Sequence, residues 1–261
     1  VGIAEQDEVG ISTGLALSGK VVFSQVFGPF LPLRAADQIH TDAAYNDVNV
    51  RLIGTHSGVT SGGGPTHNVV ADLALYRAIP NLTICVPADA GQCRKIIRAS
   101  LTYQGPMIIR ISRGGEPDVY ANNDYDFEIG KAITVRDGND LTFIGCGPSV
   151  YWSLMASKEL EKRGIHARVV DMHTIKPFDA EMVIKCAKET GAIVTVEDPS
   201  INGGLGGAVA EVLAEANLPC KFKRAGLPDK FAVLGSPESV YKYYHLDAIG
   251  IADTAEALLK K

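Results

Sequence analysis

VRLIGTHSGVTSGGGPTH, residues Val50–His67, passes without a break from a β-branched run into a loop crowded with glycine and bounded by His56 and His67. The run Val50–Thr55 reads as a strand of a sheet covered on both faces. The loop that follows, with Gly58, Gly62, Gly63, Gly64 and Pro65, buries almost no side chain of its own and is entropically costly to order. Packing does not require such a loop. It can, however, bring backbone and two imidazoles close to a small ligand. Taken with Glu5 and Arg113, it points to an enzyme site.

On both sides of this stretch, short β-branched runs alternate with helical ones, the pattern of parallel sheets wrapped by helices. Strands are expected at 21–26, 50–55, 82–87 and 107–111, then at 141–146, 167–172, 192–197 and 220–224. Helices are expected at 7–18, 34–45, 69–78, 90–102, 149–162, 180–189 and 206–216. Ile96, Ile97 and Leu101 form an apolar stripe on one of them. Between Gly114 and Glu128 the periodicity lapses into GGEPDVYANNDYDFE, which reads as an interdomain linker. The expected fold class is therefore α/β, with two consecutive domains over residues 1–122 and 123–261, each a mostly parallel sheet covered by helices. The chain opens at Val1 inside an apparent motif, so the first domain is expected to be N-terminally incomplete.

Composition narrows the function. At 261 residues, 46% hydrophobic and with a formal charge of −5, the chain has no basic face for nucleic acid or an anionic membrane. No run approaches the roughly 18 apolar residues of a bilayer span. The five cysteines are scattered and never paired as C-x-x-C, which argues against a disulfide framework or zinc site and for a reduced, cytoplasmic setting.

Each candidate side chain also has a plain structural reading. Glu5, in VGIAEQDE, suits a helix N-terminus, where the macrodipole favours acids. Phe27 and Phe30 bracket a Gly-Pro where a strand hands over to a helix, and serve either as core aromatics or as a stacking surface for a planar ring. His56 and His67 are equally readable as hydrogen-bonded structural residues or as site residues. Arg113 follows IIRIS at the carboxyl end of a strand, fitted to grip a phosphate or to make a surface ion pair. Two further motifs are structural decoys. GGLGG (Gly203–Gly207) lacks the spacing of a dinucleotide loop, and RDGND (Arg136–Asp140) reads as a hairpin turn between two short strands.

Together, GIAEQ (Gly2–Gln6), the FxxF pair with RAADQI (Arg34–Ile39), GTHSGVT…GGPTH (Gly54–His67), DLALYRAIPNLTICVPAD (Asp72–Asp89) and ISR (Ile111–Arg113) resemble the C-terminal half of the transketolase family. KPFD (Lys176–Asp179), VTVED (Val194–Asp198) and GGLGG continue the resemblance in order, so that it covers essentially the whole chain. It implies a pyrimidine-binding domain followed by a transketolase C-terminal domain without chemistry of its own, and thiamine diphosphate as cofactor. Glu5 is then the carboxyl that holds the aminopyrimidine nitrogen and shares a proton with it, favouring the imino tautomer that can deprotonate the thiazolium carbon. A glutamic acid shielded from water suits this, because desolvation disfavours the bare carboxylate. Phe27 and Phe30 pack against the ring, with Leu33 where the family's next aromatic stands. His56 and His67 line the substrate channel, and Arg113 binds the substrate phosphate.

The departures from the pattern are informative. Nothing here matches the GDG motif and downstream Asn with which the family binds the diphosphate through Mg2+ (or Ca2+). The resemblance therefore assigns the metal to an N-terminal diphosphate-binding subunit or to a part of the gene product absent from this chain, and implies an α2β2 assembly acting on sugar phosphates. Where transketolases usually have GEDGPTH, with an acid on a substrate hydroxyl, this chain has an uncharged Gly62–Gly64. Losing such a partner typically costs about 1–3 kcal/mol in discrimination, so relaxed stereochemistry or a branched sugar phosphate is expected. Deoxyxylulose-phosphate synthase shares GIAEQ and a RAYDQ-like segment but usually has GQTH, whereas Gly64–His67 reads GPTH. The β subunit of a 2-oxo acid dehydrogenase is a more remote reading, and a catalytically idle homologue that acts by binding a partner is another.

Overall fold

A computed structural model describes residues 1–60, 62–120 and 124–260. The first sheet contains β1 (Val22–Phe27), β2 (Val50–Thr55), β3 (Thr83–Cys85) and β4 (Met107–Arg110), parallel throughout in the order β1-β2-β4-β3. Around it lie α1 (Glu5–Leu17), α2 (Phe30–Arg34), α3 (Ala36–Gln38), α4 (Asp72–Ala78) and α5 (Ala90–Ser100). The second sheet has the order β10-β9-β6-β7-β5, built from β5 (Ile133–Arg136), β6 (Leu141–Gly145), β7 (Ala167–Asp171), β9 (Ala192–Ser200) and β10 (Lys221–Leu227). It is parallel apart from β5, and is flanked by α6 (Ser149–Glu161), α7 (Ala180–Thr190), α8 (Leu205–Glu215), α9 (Pro237–Tyr243) and α10 (Ala248–Leu259). This is the expected α/β class. Among the described residues no helix is long and apolar enough to cross a membrane.

Four local expectations are corrected. RDGND joins β5 to β6, but the two strands do not pair. β5 lies antiparallel to β7 at the sheet edge, so the segment is a connection and not a hairpin turn. The apolar stripe of α5 holds only in part: Ile96 is buried and Ile97 packs against the same core, but Leu101 lies beyond the helix and is 54% exposed, and Gln92 and Ser100 complete the buried face. Polar residues occupy that face because each is hydrogen-bonded there. The single helix expected over 34–45 begins at Phe30, breaks at Ala35 and runs on through a π-helical stretch, Ile39–Ala44. Lastly, β8 (Thr174–Lys176), far along the chain, adds antiparallel to β3 in the first sheet. The expected boundary between residues 122 and 123 lies outside the described residues.

The two halves are thus stitched together. One hydrophobic cluster joins Leu52, Ile84 and Ile108 to Met172 and Ile175, and another carries Val59 and Ala88 into the core of Phe143, Val169 and Val194. At the cap of α5, Asp89 accepts from the N–H groups of Gln92 (2.7 Å), Val119 (2.9 Å) and Tyr120 (3.1 Å), tying the helix to the segment that leads out of the first half.

Beside the cap, fully buried Asp171 accepts from Gln92 Nε2 and from the Tyr120 hydroxyl, both at 2.6 Å. Burial pushes its carboxyl up to about 7, the two donors pulling only part of the way back. A folded-state pKa above the unfolded value means that the native state holds the extra proton. Its contribution is complete below the unfolded pKa of about 4 and is lost as pH rises through 7. Asp171→Asn keeps an oxygen for both donors and removes the titration. Chemical denaturation from pH 4 to 8 is expected to show a shallower loss of stability, by roughly 4 kcal/mol over the window. An unchanged slope would contradict the assignment.

Candidate active site

Parallel pairing of β1 with β2 puts Phe27 opposite Thr55, so both strands discharge side chains at the same carboxyl edge. Phe27 consequently stacks on His56, with centroids 4.5 Å apart and planes at 24°. His56 holds a left-handed backbone, φ +56°, which costs a residue bearing a Cβ roughly 1–2 kcal/mol. Its Nδ1 lies 3.1 Å from Thr55 Oγ1. After β1 the chain turns at Gly28, where a Cβ would overlap the Thr55 carbonyl and Ser57 Oγ, so only glycine permits this close approach. Phe30 then opens α2, 5.6 Å from Phe27. His67, returning at the far end of the glycine loop, stands edge-on to Phe27 (5.9 Å) and to Phe30 (5.5 Å).

Glu5 is the first residue of α1 and is 8% exposed. With Glu8, Phe27, Phe30 and His67 it lines an open cavity of about 350 Å³. Glu8 Oε1 accepts from the Ser24 hydroxyl. Arg34 meets Glu5, its Nη1 3.0 Å from Oε1, and lies over the Phe30 ring at 3.9 Å. Although RAADQI stood out in the sequence, Arg34 itself had no assigned role. The Phe30/Arg34 spacing of four on a helix was the available signal.

Arg113 is placed apart from this group. It is exposed and lines a neighbouring cleft of about 400 Å³ together with Thr60, Trp152 and Tyr241. The glycine loop lies beside it: a Cβ at Gly62 would sit 3.7 Å from Arg113 Nη1. The structure thus brings Glu5, Phe27, Phe30, His56 and His67 together and sets Arg113 next to the loop that carries both histidines. Among the described residues no group of three His, Cys, Asp or Glu side chains is arranged to hold a metal ion.

GGLGG has a structural task. The N–H groups of Leu205 and Gly206, each at 2.8 Å, donate to the buried Glu197 carboxylate, which caps α8 from below and leaves no room for a phosphate.

One side of the site is bare. Ile3 (92% exposed) before α1, Ile11, Leu15 and Leu17 on it, Phe23 on edge strand β1 and Leu33 on α2 present apolar surface, and Ile3 also borders the Glu5 cavity. In α1, Gly10 and Gly14 face open space. Among the described residues nothing packs against these two helix-weakening glycines.

Comparison with known proteins identifies the family. Residues 1–116 match the transketolase pyrimidine binding domain and residues 130–251 the transketolase C-terminal domain. The chain is 45% identical to an apulose-4-phosphate transketolase subunit of Phocaeicola vulgatus, over all of this chain and 83% of that one. It is 33% identical to 1-deoxy-D-xylulose-5-phosphate synthase 1 of Geobacter sulfurreducens, over 99% of this chain but 41% of that protein. Among solved structures, a split-gene transketolase described as an inactive β4 tetramer superposes with a TM-score of 0.90 at 38% identity, over all of this chain and 83% of that one. The chain therefore belongs to the transketolase family of thiamine diphosphate-dependent transferases, of which it comprises the pyrimidine-binding and C-terminal domains.

Proposed function

We propose that this chain is the C-terminal subunit of a two-subunit transketolase, which moves a two-carbon ketol unit from a ketose phosphate to an aldose phosphate. One observation carries the reading: a buried carboxyl, Glu5, in an open cavity walled by Phe27, Phe30 and His67, beside an apolar face left exposed among the described residues. Such a cavity fits the aminopyrimidine half of thiamine diphosphate. The partner supplies the diphosphate half and its Mg2+ (or Ca2+), and closes the apolar face.

When bound, thiamine diphosphate supplies a nucleophilic thiazolium carbon and an electron sink. The work of this chain is binding and proton placement. Arg34 engages Glu5 Oε1, and Oε2 would be the oxygen that meets the ring nitrogen. Phe27 and Phe30 fix the ring and exclude water, which strengthens that hydrogen bond. His56 and His67 would line the substrate channel and orient the sugar hydroxyls. Arg113 binds the phosphate from beyond the glycine loop, bidentately in the manner suited to guanidinium. The synthase reading is disfavoured by Pro65, which stands where that enzyme usually has glutamine. The similar P. vulgatus protein, named for apulose-4-phosphate, is consistent with a sugar phosphate as substrate.

The test is to assemble the chain with its diphosphate-binding partner and assay linear and branched ketose phosphates. Thiamine diphosphate-dependent two-carbon transfer from at least one of them is expected; none across the panel would contradict the proposal. Within that assay, Gly62→Asp places a carboxylate within reach of Arg113. The KM for the sugar phosphate is expected to rise about tenfold, the equivalent of one charge-assisted hydrogen bond.

A further inference from the structure

The loop bearing His56 and His67 leaves the first sheet, yet much of what holds it belongs to the second half of the chain. Gly58 has φ +71°, and a Cβ there would overlap the Asp198 carboxylate, so the loop backbone rests directly on that group. Asp198 lies in β9 and is 0% exposed. Val59, next in the loop, is buried in the core of the second sheet. Gly64 comes against Leu234, and the carbonyl of Val70 accepts from the Ser200 N–H at 2.8 Å.

A buried ion cluster gathers these points. Arg110 Nη1 is 3.0 Å from Asp198 Oδ1, and Arg110 Nε donates to Asp72 Oδ2 at 2.6 Å. The Tyr241 hydroxyl donates to Asp198 Oδ2 at 3.2 Å. Asp72 begins α4 just after the loop, while Arg110 ends β4 three residues before Arg113. Between them the loop is closed by Val69 N–H to the Gly58 carbonyl, 3.0 Å. One cluster therefore fixes the loop's start, its end and the strand leading to Arg113. Buried ion pairs contribute little net stability, and their best-attested use is to fix register. A glycine-rich loop with few side chains to pack, Val59 chief among them, has the greatest need of that, since misplacing a site group by about 1 Å costs on the order of 100-fold in rate.

We infer that Asp198 is a positioning residue for the histidine loop, and that the C-terminal half serves the site as the clamp that keeps His56 and His67 in register with Phe27. The experiment follows the imidazole resonances of the histidine-labelled chain in the wild type, Asp198→Asn and Tyr241→Phe, with His40 and His166 as internal references. Asp198→Asn is expected to shift His56 and His67 and leave the references in place. In the assembled enzyme it is expected to lower kcat/KM for the sugar phosphate about 10- to 100-fold. Cofactor affinity is expected to stay within about twofold, because the contacts of Asp198 run to Arg110, Tyr241 and the Gly58 backbone rather than to Glu5, Phe27 or Phe30 themselves.

The kinetic readout rests on the proposed transferase reading, whereas the resonances do not. A wild-type assembly without turnover rejects that reading, and the resonances then decide the clamp. Unmoved His56 and His67 resonances in folded Asp198→Asn overturn the inference, as does cofactor affinity falling in step with the sugar kinetics. Should Asp198→Asn fail to fold, Tyr241→Phe decides: it removes a single hydroxyl and is expected to shift the same two resonances, and unmoved resonances overturn the inference.

Discussion

Glu5→Ala is expected to lower kcat of the assembled enzyme about 10²- to 10⁴-fold, the range for losing a positioned proton-transfer group. The expectation follows from the side chain's place, 8% exposed on the cavity wall between the first turn of α1 and the Phe27/Phe30 pair. Little else should change. The only ion-pair partner of Glu5 among the described residues is Arg34, whose side chain is 49% exposed. Such a pair contributes at most about 1 kcal/mol, so the fold and the association with the partner should survive. Initial rates at saturating sugar phosphate, with gel filtration as a control on assembly, make the measurement. Unchanged turnover would favour an idle homologue that acts by binding alone.

Arg110→Ala is expected to cost about 3–5 kcal/mol of unfolding free energy, because it strands Asp72 and Asp198 as uncompensated buried charges. Arg110 and both carboxylates are at most 2% exposed. Burial opposes the guanidinium's charge, but Asp198 and then Asp72 outweigh it and hold its pKa above the ordinary value. It therefore stays charged throughout any workable pH range. A surface arginine provides the contrast. Arg163 also bridges two acids, Asp253 and Glu256, at 2.7 and 2.8 Å, but in contact with water. Its alanine variant is expected to cost less than about 1 kcal/mol. Urea unfolding of the two variants side by side checks both values. A loss below about 1 kcal/mol for Arg110→Ala would show that the cluster collapses or hydrates without penalty.

What was legible in the sequence divides along physical lines. Strands such as Val50–Thr55 and Leu141–Gly145 announce themselves because burial on both faces demands β-branched and aliphatic residues. The grouping of Phe27 with His56 was not visible in local pattern, since it depends on parallel register across two strands; only the ordered family motifs pointed to it. β8 was missed because three residues, Thr174–Lys176, carry too little periodicity, and their partner β3 lies some ninety positions earlier. α9 and α10 were missed although Ser236 and Asp247 cap them in the expected way. The Tyr-rich run YKYYHL, which ends α9 and leads on toward α10, masks the boundary. The stripe on α5 misled at Leu101 because hydrophobicity was taken as the sign of burial, while Gln92 and Ser100 are buried through their hydrogen bonds. The clamp on Gly58 left no sequence signal at all: Asp198 is 140 residues away and the contact exists only in three dimensions.

The central claim is that this chain holds half of a thiamine diphosphate site and that a second subunit supplies the other half. The most direct measurement is the rate of two-carbon transfer from ketose phosphates by the purified chain alone, with thiamine diphosphate and Mg2+ in excess, against the same chain mixed with the diphosphate-binding subunit. The account predicts no turnover for the chain alone and turnover that saturates as the partner is titrated in. Turnover by the unpartnered chain would contradict it.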